Sequence, residues 1–201
     1  MRTWAIEEAG GGRDEESTQE RVLAAARACF ERYGVPKTTI EDIAQAAGVS
    51  RPTVYKYFGG GKAAILEEIS RREVLKVNAE VRARLVRREG FAEFLTEALF
   101  LVIRIAGSNA YIRRLMEAHD FQLASMDPSS AMFGMQRAWW RGPLAHAAER
   151  GELAGDLDTD EIVQWLAHAQ RMLLTHAENP AVDDAALRRM IRRFVVQPLL
   201  A

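Results

Sequence analysis

From residue 17 onward the apolar positions of this chain recur at intervals of three and four, the spacing that gathers side chains on one face of an α-helix. Val22, Leu23, Ala26, Cys29 and Phe30 make the first stripe. Ser17 and Glu20 ahead of it have capping-box spacing, and Gly34 ends it, so a helix is predicted from Ser17 to about Tyr33. Ile40, Ile43, Ala44 and Ala47 make the second stripe, opened by Thr38 with Glu41 as its reciprocal capping partner. Gly48 supplies the positive φ of a tight turn, and Val49 plugs the angle between the helices. Ser50 caps a third helix whose first turn tolerates Pro52 and whose Val54 and Phe58 point inward.

A long helix is predicted over 61–88, with Ile65, Leu66, Ile69, Val74, Val77 and Val81 inward and Gly90 as its stop. Further helices follow over about 91–106, 109–118, 131–150 (interrupted at Gly142-Pro143), 158–178 and 183–197. Asp158 and Glu161 form a third capping pair, and Asn179-Pro180 ends the helix they open. No stretch alternates with period two for long, so the fold class is all-α. The organisation expected is a disordered arm over 1–16, a three-helix helix-turn-helix domain over 17–60, and a helical bundle over 61–201 that begins with the linking helix 61–88. Gly10-Gly11-Gly12 and an acidic cluster mark the arm.

The polar face of the third predicted helix carries the chemistry. Arg51, Thr53, Tyr55, Lys56 and Tyr57 offer a guanidinium, an ammonium and three hydroxyls, the groups that reach phosphates and base edges in a major groove. This segment resembles the DNA-binding end of the TetR-type transcriptional regulators. The resemblance rests on the run Tyr55-Lys56-Tyr57-Phe58 with a glycine turn and a basic residue after it, on Phe30 and Gly34, on Thr39-Ile40, on Ile43-Ala44 and on Gly48-Val49-Ser50. It covers about residues 18–70. It implies double-stranded DNA as partner, with Thr38, Thr39, Ser50, Arg51, Pro52, Thr53, Tyr55, Lys56, Tyr57 and Lys62 as DNA-binding residues. One departure stands out: the family places its lysine three residues after the phenylalanine, and here Gly59-Gly60-Gly61 sets Lys62 four residues after Phe58.

Charge fits that reading once it is divided along the chain. The net charge is −1, yet residues 17–90 hold 14 Lys or Arg against 9 Asp or Glu, while residues 91–201 hold 11 against 14. The basic excess lies with the helix-turn-helix and the helix after it. No run of 18 apolar residues and no basic-then-apolar leader occurs, so a cytoplasmic location is expected. Cys29 is the single cysteine, set between apolar neighbours, and reads as a buried small hydrophobe.

The last two helices each carry a stripe: Ile162, Leu166, Ala169 and Leu173, then Leu187, Met190, Ile191, Phe194 and Val195. The resemblance implies a homodimer through these helices, with Ile162, Leu166, Leu173, Leu187, Met190, Ile191, Phe194 and Val195 at the interface; the alternative is that both stripes are core of one chain. The resemblance also implies a site for a small, mostly apolar effector in the C-terminal domain. Methionines and aromatics cluster between residues 94 and 165, and Phe94, Phe100, Ile103, Met116, His119, Phe121, Met135, Trp139, Trp140 and Trp165 are its candidate lining. Trp139 and Trp140 are adjacent, so only one of them is expected to face inward. Gln122, Gln136, Gln170, Asn109, Tyr111 and Asp120 are candidate polar tethers.

Catalysis has little support. The four histidines have no metal-ligand spacing, no phosphate-cradling glycine loop follows a strand, and Cys29 has no histidine near it in sequence. No cofactor and no metal is implied. A ligand-responsive regulator, with repression as the implied sign, is therefore weighed against an all-helical scaffold whose helix-turn-helix contacts protein. Salt-dependent affinity for duplex DNA separates the two.

Overall fold

A computed structural model describes residues 11–85, 90–117 and 119–201. The described residues are helical without a named strand, as an all-α class requires. The chain divides into two compact units, residues 1–70 and 71–201.

The first unit holds α1 (Gly11–Tyr33), α2 (Ile40–Ala47), α3 (Arg51–Tyr57) and the start of α4 (Lys62–Arg84). Helix α1 begins at Gly11, so residues 11–16 are helical and not part of a disordered arm. Residues 1–10 of the expected arm lie outside the described residues. Val22, Ala26, Phe30, Ile43, Val54, Phe58, Ile65 and Ile69 are buried in this unit.

The joint between α1 and α2 corrects the expected cap. The N-cap of α2 is Thr39, and its box partner is Asp42. The Asp42 amide donates to Thr39 Oγ1 at 3.2 Å and the Thr39 amide donates to Asp42 Oδ2 at 2.8 Å. Thr38 instead closes the other helix: its hydroxyl is within 2.8 Å of the Gly34 carbonyl and 3.2 Å of that of Cys29. Consecutive threonines thus serve the two helices that meet here. The Thr39 bonds hold the Asp42 carboxyl below its ordinary range. A depressed carboxylate adds stability that is present at neutral pH and lost as pH falls through its folded value. The Cys29 thiol is buried, and burial pushes it up, away from the reactive thiolate.

The second unit is built on α5 (Phe91–Ser108), whose Leu95, Ala98, Leu99, Val102, Ile103 and Ala106 are buried. Around it are α6 (Ala110–Glu117), α7 (His119–Met126), α8 (Ala131–Glu149), α9 (Thr159–Ala177) and α10 (Asp184–Met190). Helix α10 runs on as a π-helical stretch over Ile191–Val196. Helix α7 falls between the helices expected at 109–118 and 131–150, where none is expected. The Asp158–Glu161 capping box opens α9 as expected. The C-terminus is pinned: the Ala154 amide donates to the Leu199 carbonyl at 3.0 Å, and that of Ala201 to Glu152 at 3.2 Å. No helix among the described residues is long and apolar enough to cross a membrane.

The interface stripes are corrected by burial within one chain. Ile162, Leu166, Leu173, Leu187, Ile191 and Val195 are all buried in the core of the second unit. A side chain already covered by its own chain has no apolar surface left to give a partner. Met190 is half-buried, and Phe194 is exposed. The apolar groups left outward on α9 and the π-helical stretch are Trp165, Met172 and Phe194.

Candidate functional site

Helix α3 is fixed at both ends by its own sequence. Ser50 accepts from the Thr53 amide at 3.3 Å, and its hydroxyl meets that of Thr53 at 2.8 Å. At the far end Gly61 has φ +61, and a Cβ there would sit 3.2 Å from Cε1 of the Tyr55 ring. The last glycine of the triplet therefore sets the ring of Tyr55 by close backbone approach. Gly61→Ala should lower the stability of the first unit by about 1–2 kcal/mol. Urea unfolding followed by circular dichroism reads this, and an unchanged midpoint would show that the turn tolerates a side chain.

The outward face of α3 presents Arg51, Pro52, Tyr55 and Lys56, with Thr53 and Tyr57 half-exposed. Arg51 donates to Glu41 Oε1 on α2 at 2.5 Å and lies 5.6 Å from the Tyr55 ring. Lys56 stands 5.3 Å from the Tyr57 ring. Both cations are held beside tyrosines on one strip, where phosphate and base contacts need donors together. Thr39 is exposed at the start of α2, its hydroxyl donating to Asp42.

Two of the expected DNA-binding residues are placed elsewhere. Thr38 is 1% exposed and bonded to carbonyls, so its hydroxyl is withheld from solvent. Lys62 Nζ donates to the carbonyls of Val35 and Thr38 at 3.0 Å and lies 3.4 Å from that of Pro36. It ties α4 to the α1–α2 joint. Glu41, the counter-ion of Arg51, was not among the expected site residues, nor was Arg21. Arg21 donates to the Ala47 carbonyl at 3.0 Å and closes the C-terminal end of α2.

A cavity of about 90 Å³ lies in the second unit between α4, α7, α8 and α9. Of the expected lining, Phe121, Trp139 and Trp140 border it. Both tryptophans do so, contrary to the expectation that one must face away. Their rings meet edge to face, 6.3 Å apart at 84°, and Trp139 carries the Arg82 guanidinium at 4.7 Å. A cavity flanking a helix admits neighbours about 100° apart when one of them lies at its edge.

Phe94, Phe100, Ile103, Met135 and Trp165 do not border the cavity. Phe94 stacks on Phe91 at 6.4 Å, and Ile103 is core. Phe100 is covered by the Arg188 guanidinium at 3.4 Å, itself held by Glu97 through two bonds of 2.9 and 3.0 Å. Met135 is half-buried, and Trp165 lies outward, its indole N–H donating to the Val195 carbonyl at 3.2 Å. The side chains of Met116, His119 and Asp120 lie outside the described residues. Among the tethers, Gln122, Gln136 and Gln170 border the cavity. Asn109 instead caps α6, accepting from the Tyr111 amide at 3.0 Å.

The lining missed in sequence includes four residues of α4, Glu73, Val74, Val77 and Asn78, and Arg171 of α9. The signal for Glu73 was there. Ile69, Glu73, Val77 and Val81 follow one another at intervals of four, so the carboxylate interrupts an otherwise apolar stripe.

Residues 22–69 match the family model of bacterial regulatory proteins, tetR family. That match falls within the first unit and covers α2 and α3. That family is one of regulators and not an enzyme class. Rv2250c of Mycobacterium tuberculosis, an uncharacterized HTH-type transcriptional regulator, is 51% identical over 43 residues, which is 21% of this chain and 23% of that protein. The chain thus spans about a quarter of that relative's length. YdeS of Bacillus subtilis, of the same description, is 24% identical over 185 residues, 88% of this chain and 87% of YdeS. Among solved structures, SmeT, the repressor of the Stenotrophomonas maltophilia multidrug efflux pump SmeDEF, superposes with a TM-score of 0.63 at 22% identity, over 94% of this chain and 93% of SmeT. A SmeT–triclosan complex superposes with a TM-score of 0.53 at 26% identity, over 88% of each chain.

Proposed function

We propose that this chain is an effector-responsive transcriptional repressor of the cytoplasm that binds a palindromic operator as a homodimer. The observation that carries the reading is the outward strip of α3, on which Arg51, Tyr55, Lys56 and Tyr57 stand together on a helix clamped by Ser50 and Gly61. A single helix reads few base pairs, and a two-fold pair about 34 Å apart reads a palindrome. Tyr55 and Tyr57 meet phosphates and sugars, Arg51 and Lys56 meet base edges or phosphates, and Thr39 meets a phosphate at the start of α2. Lys62 acts from behind, by holding the joint that carries α2.

The dimer forms through the outward face of α9 and the π-helical stretch, with Trp165, Met172 and Phe194 as its apolar centre and Met190 beside them. The effector enters the cavity and meets α4 through Val74 and Val77, on the helix whose first residue is Lys62. A ligand preferring one position of α4 shifts the spacing of the two recognition helices, and only by its differential affinity for the two states. Repression and the binding of a compact ligand accord with SmeT, which is named as a repressor and in a complex with triclosan.

Fluorescence anisotropy against the DNA flanking the gene, with random duplex as control, tests the reading across a salt series. A preference of about a thousandfold with a steep salt slope supports it. No salt-dependent binding to either duplex assigns the helix-turn-helix to a protein partner. Glu41→Gln should raise affinity for both duplexes about two- to fivefold at low salt, because it frees Arg51 and removes a carboxylate from beside the phosphates. Weaker binding by this variant would make the Glu41–Arg51 pair a positioning device for DNA.

A further inference from the structure

We propose that the cavity of the second unit selects a compact amine, held through its ammonium by Glu73. The proposal rests on the reading of this cavity as the effector site and adds the chemical class of the ligand. Glu73 is the one acidic residue among the described lining, and its side chain is 5% exposed. A carboxylate withdrawn from water that far is held by the cations and donors that meet it. Lys76 is one of its partners, with Nζ 2.9 Å from Oε1 and a side chain that is 66% exposed. A carboxylate accepts from several donors at once, so a ligand ammonium adds to the Lys76 contact or replaces it. Arg171, the other charged group among the described lining, is exposed and donates to Gln122 at 3.2 Å. Its charge is therefore screened at the rim, while that of Glu73 acts inside.

The rest of the lining suits such a ligand. Phe121, Trp139 and Trp140 border the cavity with aromatic surface, which attracts cations as well as apolar groups. Trp139 already carries one guanidinium, that of Arg82. At about 90 Å³ the cavity is smaller than the engineered cavity of about 150 Å³ that takes benzene. It must widen for a one-ring ligand, and Met126 and Met132 in its wall are side chains that repack readily.

The test uses the full chain and three matched probes: phenethylamine, 2-phenylethanol and 3-phenylpropanoate. Binding is followed by quenching of tryptophan fluorescence and by calorimetry, and release by anisotropy of the bound operator. The amine should bind about tenfold or more tighter than the alcohol, and the carboxylate weakest. Glu73→Gln should erase that preference and leave the alcohol unchanged. Lys76→Met, at an exposed position, should strengthen amine binding by removing the resident cation, an effect that a merely structural Glu73 would not give. Equal or tighter binding of the alcohol or carboxylate, with the ranking unmoved in both variants, overturns the amine selection and leaves the cavity as a neutral or anion site. The expected ranking without any change in operator affinity keeps the selection and removes the effector reading. Binding of none of the three overturns both.

Discussion

Phe194→Glu should turn the proposed dimer into monomers while leaving each chain folded. Phe194 is 58% exposed on the π-helical stretch, so the protomer loses little packing when it is replaced. At the centre of an interface an aromatic anchor contributes about 2 kcal/mol or more, and a glutamate there adds a desolvated charge on each side of the two-fold axis. Sedimentation equilibrium should therefore show the association constant falling by about thirtyfold or more. Helix content should be unchanged, and specific DNA affinity should drop with the loss of the second half-site contact. Leu166→Ala is the contrasting variant. Leu166 is fully buried in one chain, and its truncation should cost about 3–5 kcal/mol of unfolding free energy, read by urea titration, with the dimer constant nearly unchanged. If Leu166→Ala dissociated the dimer and Phe194→Glu did not, the interface would be the buried stripe after all.

That contrast shows what the sequence could and could not convey. Local rules were legible. Ser50, Gly48 and the Asp158–Glu161 pair act in the fold as their spacing predicts, because caps and turns depend on neighbours three or four residues away. The Thr38–Thr39 pair failed by a single position because two adjacent residues of one type offered the same cap. Only the carbonyls of Cys29 and Gly34, brought near by folding, decide between them. The stripes of α9 and α10 failed for a different reason. Periodicity says which face of a helix is apolar but not what covers it, and here α5 covers Leu166, Ile191 and Val195. The cavity was legible as a composition and not as a place. Met and aromatic residues marked the right stretch, yet Phe100 was spent on Arg188 and Phe94 on Phe91. Glu73 and Val77 came from a helix that the aromatic count did not include.

Lys62→Met should weaken DNA binding and unfold the first unit more easily, two losses with one cause. The Lys62 ammonium is shared by the carbonyls of Val35 and Thr38 at 3.0 Å, with that of Pro36 at 3.4 Å. These carbonyls lie between the end of α1 and the cap of α2, where the chain has left one helix and not yet entered the next. Methionine keeps most of the side-chain volume and removes the donors, so the loss reports hydrogen bonds to a charged group, about 1.5–3 kcal/mol. Thr39 and Arg51 depend on the same joint, Arg51 through Glu41 on α2, so the outward strip proposed to meet DNA loosens with it. Affinity should therefore fall by a similar factor on operator and random duplex, about tenfold, with the salt slope retained because no phosphate contact has been removed. The slope is the deciding quantity. A direct phosphate contact by Lys62 would reduce it by about one on substitution and leave the urea midpoint where it was. An unchanged slope with a lowered midpoint assigns Lys62 to the scaffold. In that case the fourth residue after Phe58 has a reason of its own: the added glycine gives Gly61 the φ of +61 that lets the ring of Tyr55 lie against the backbone, and the lysine that follows reaches the α1–α2 joint.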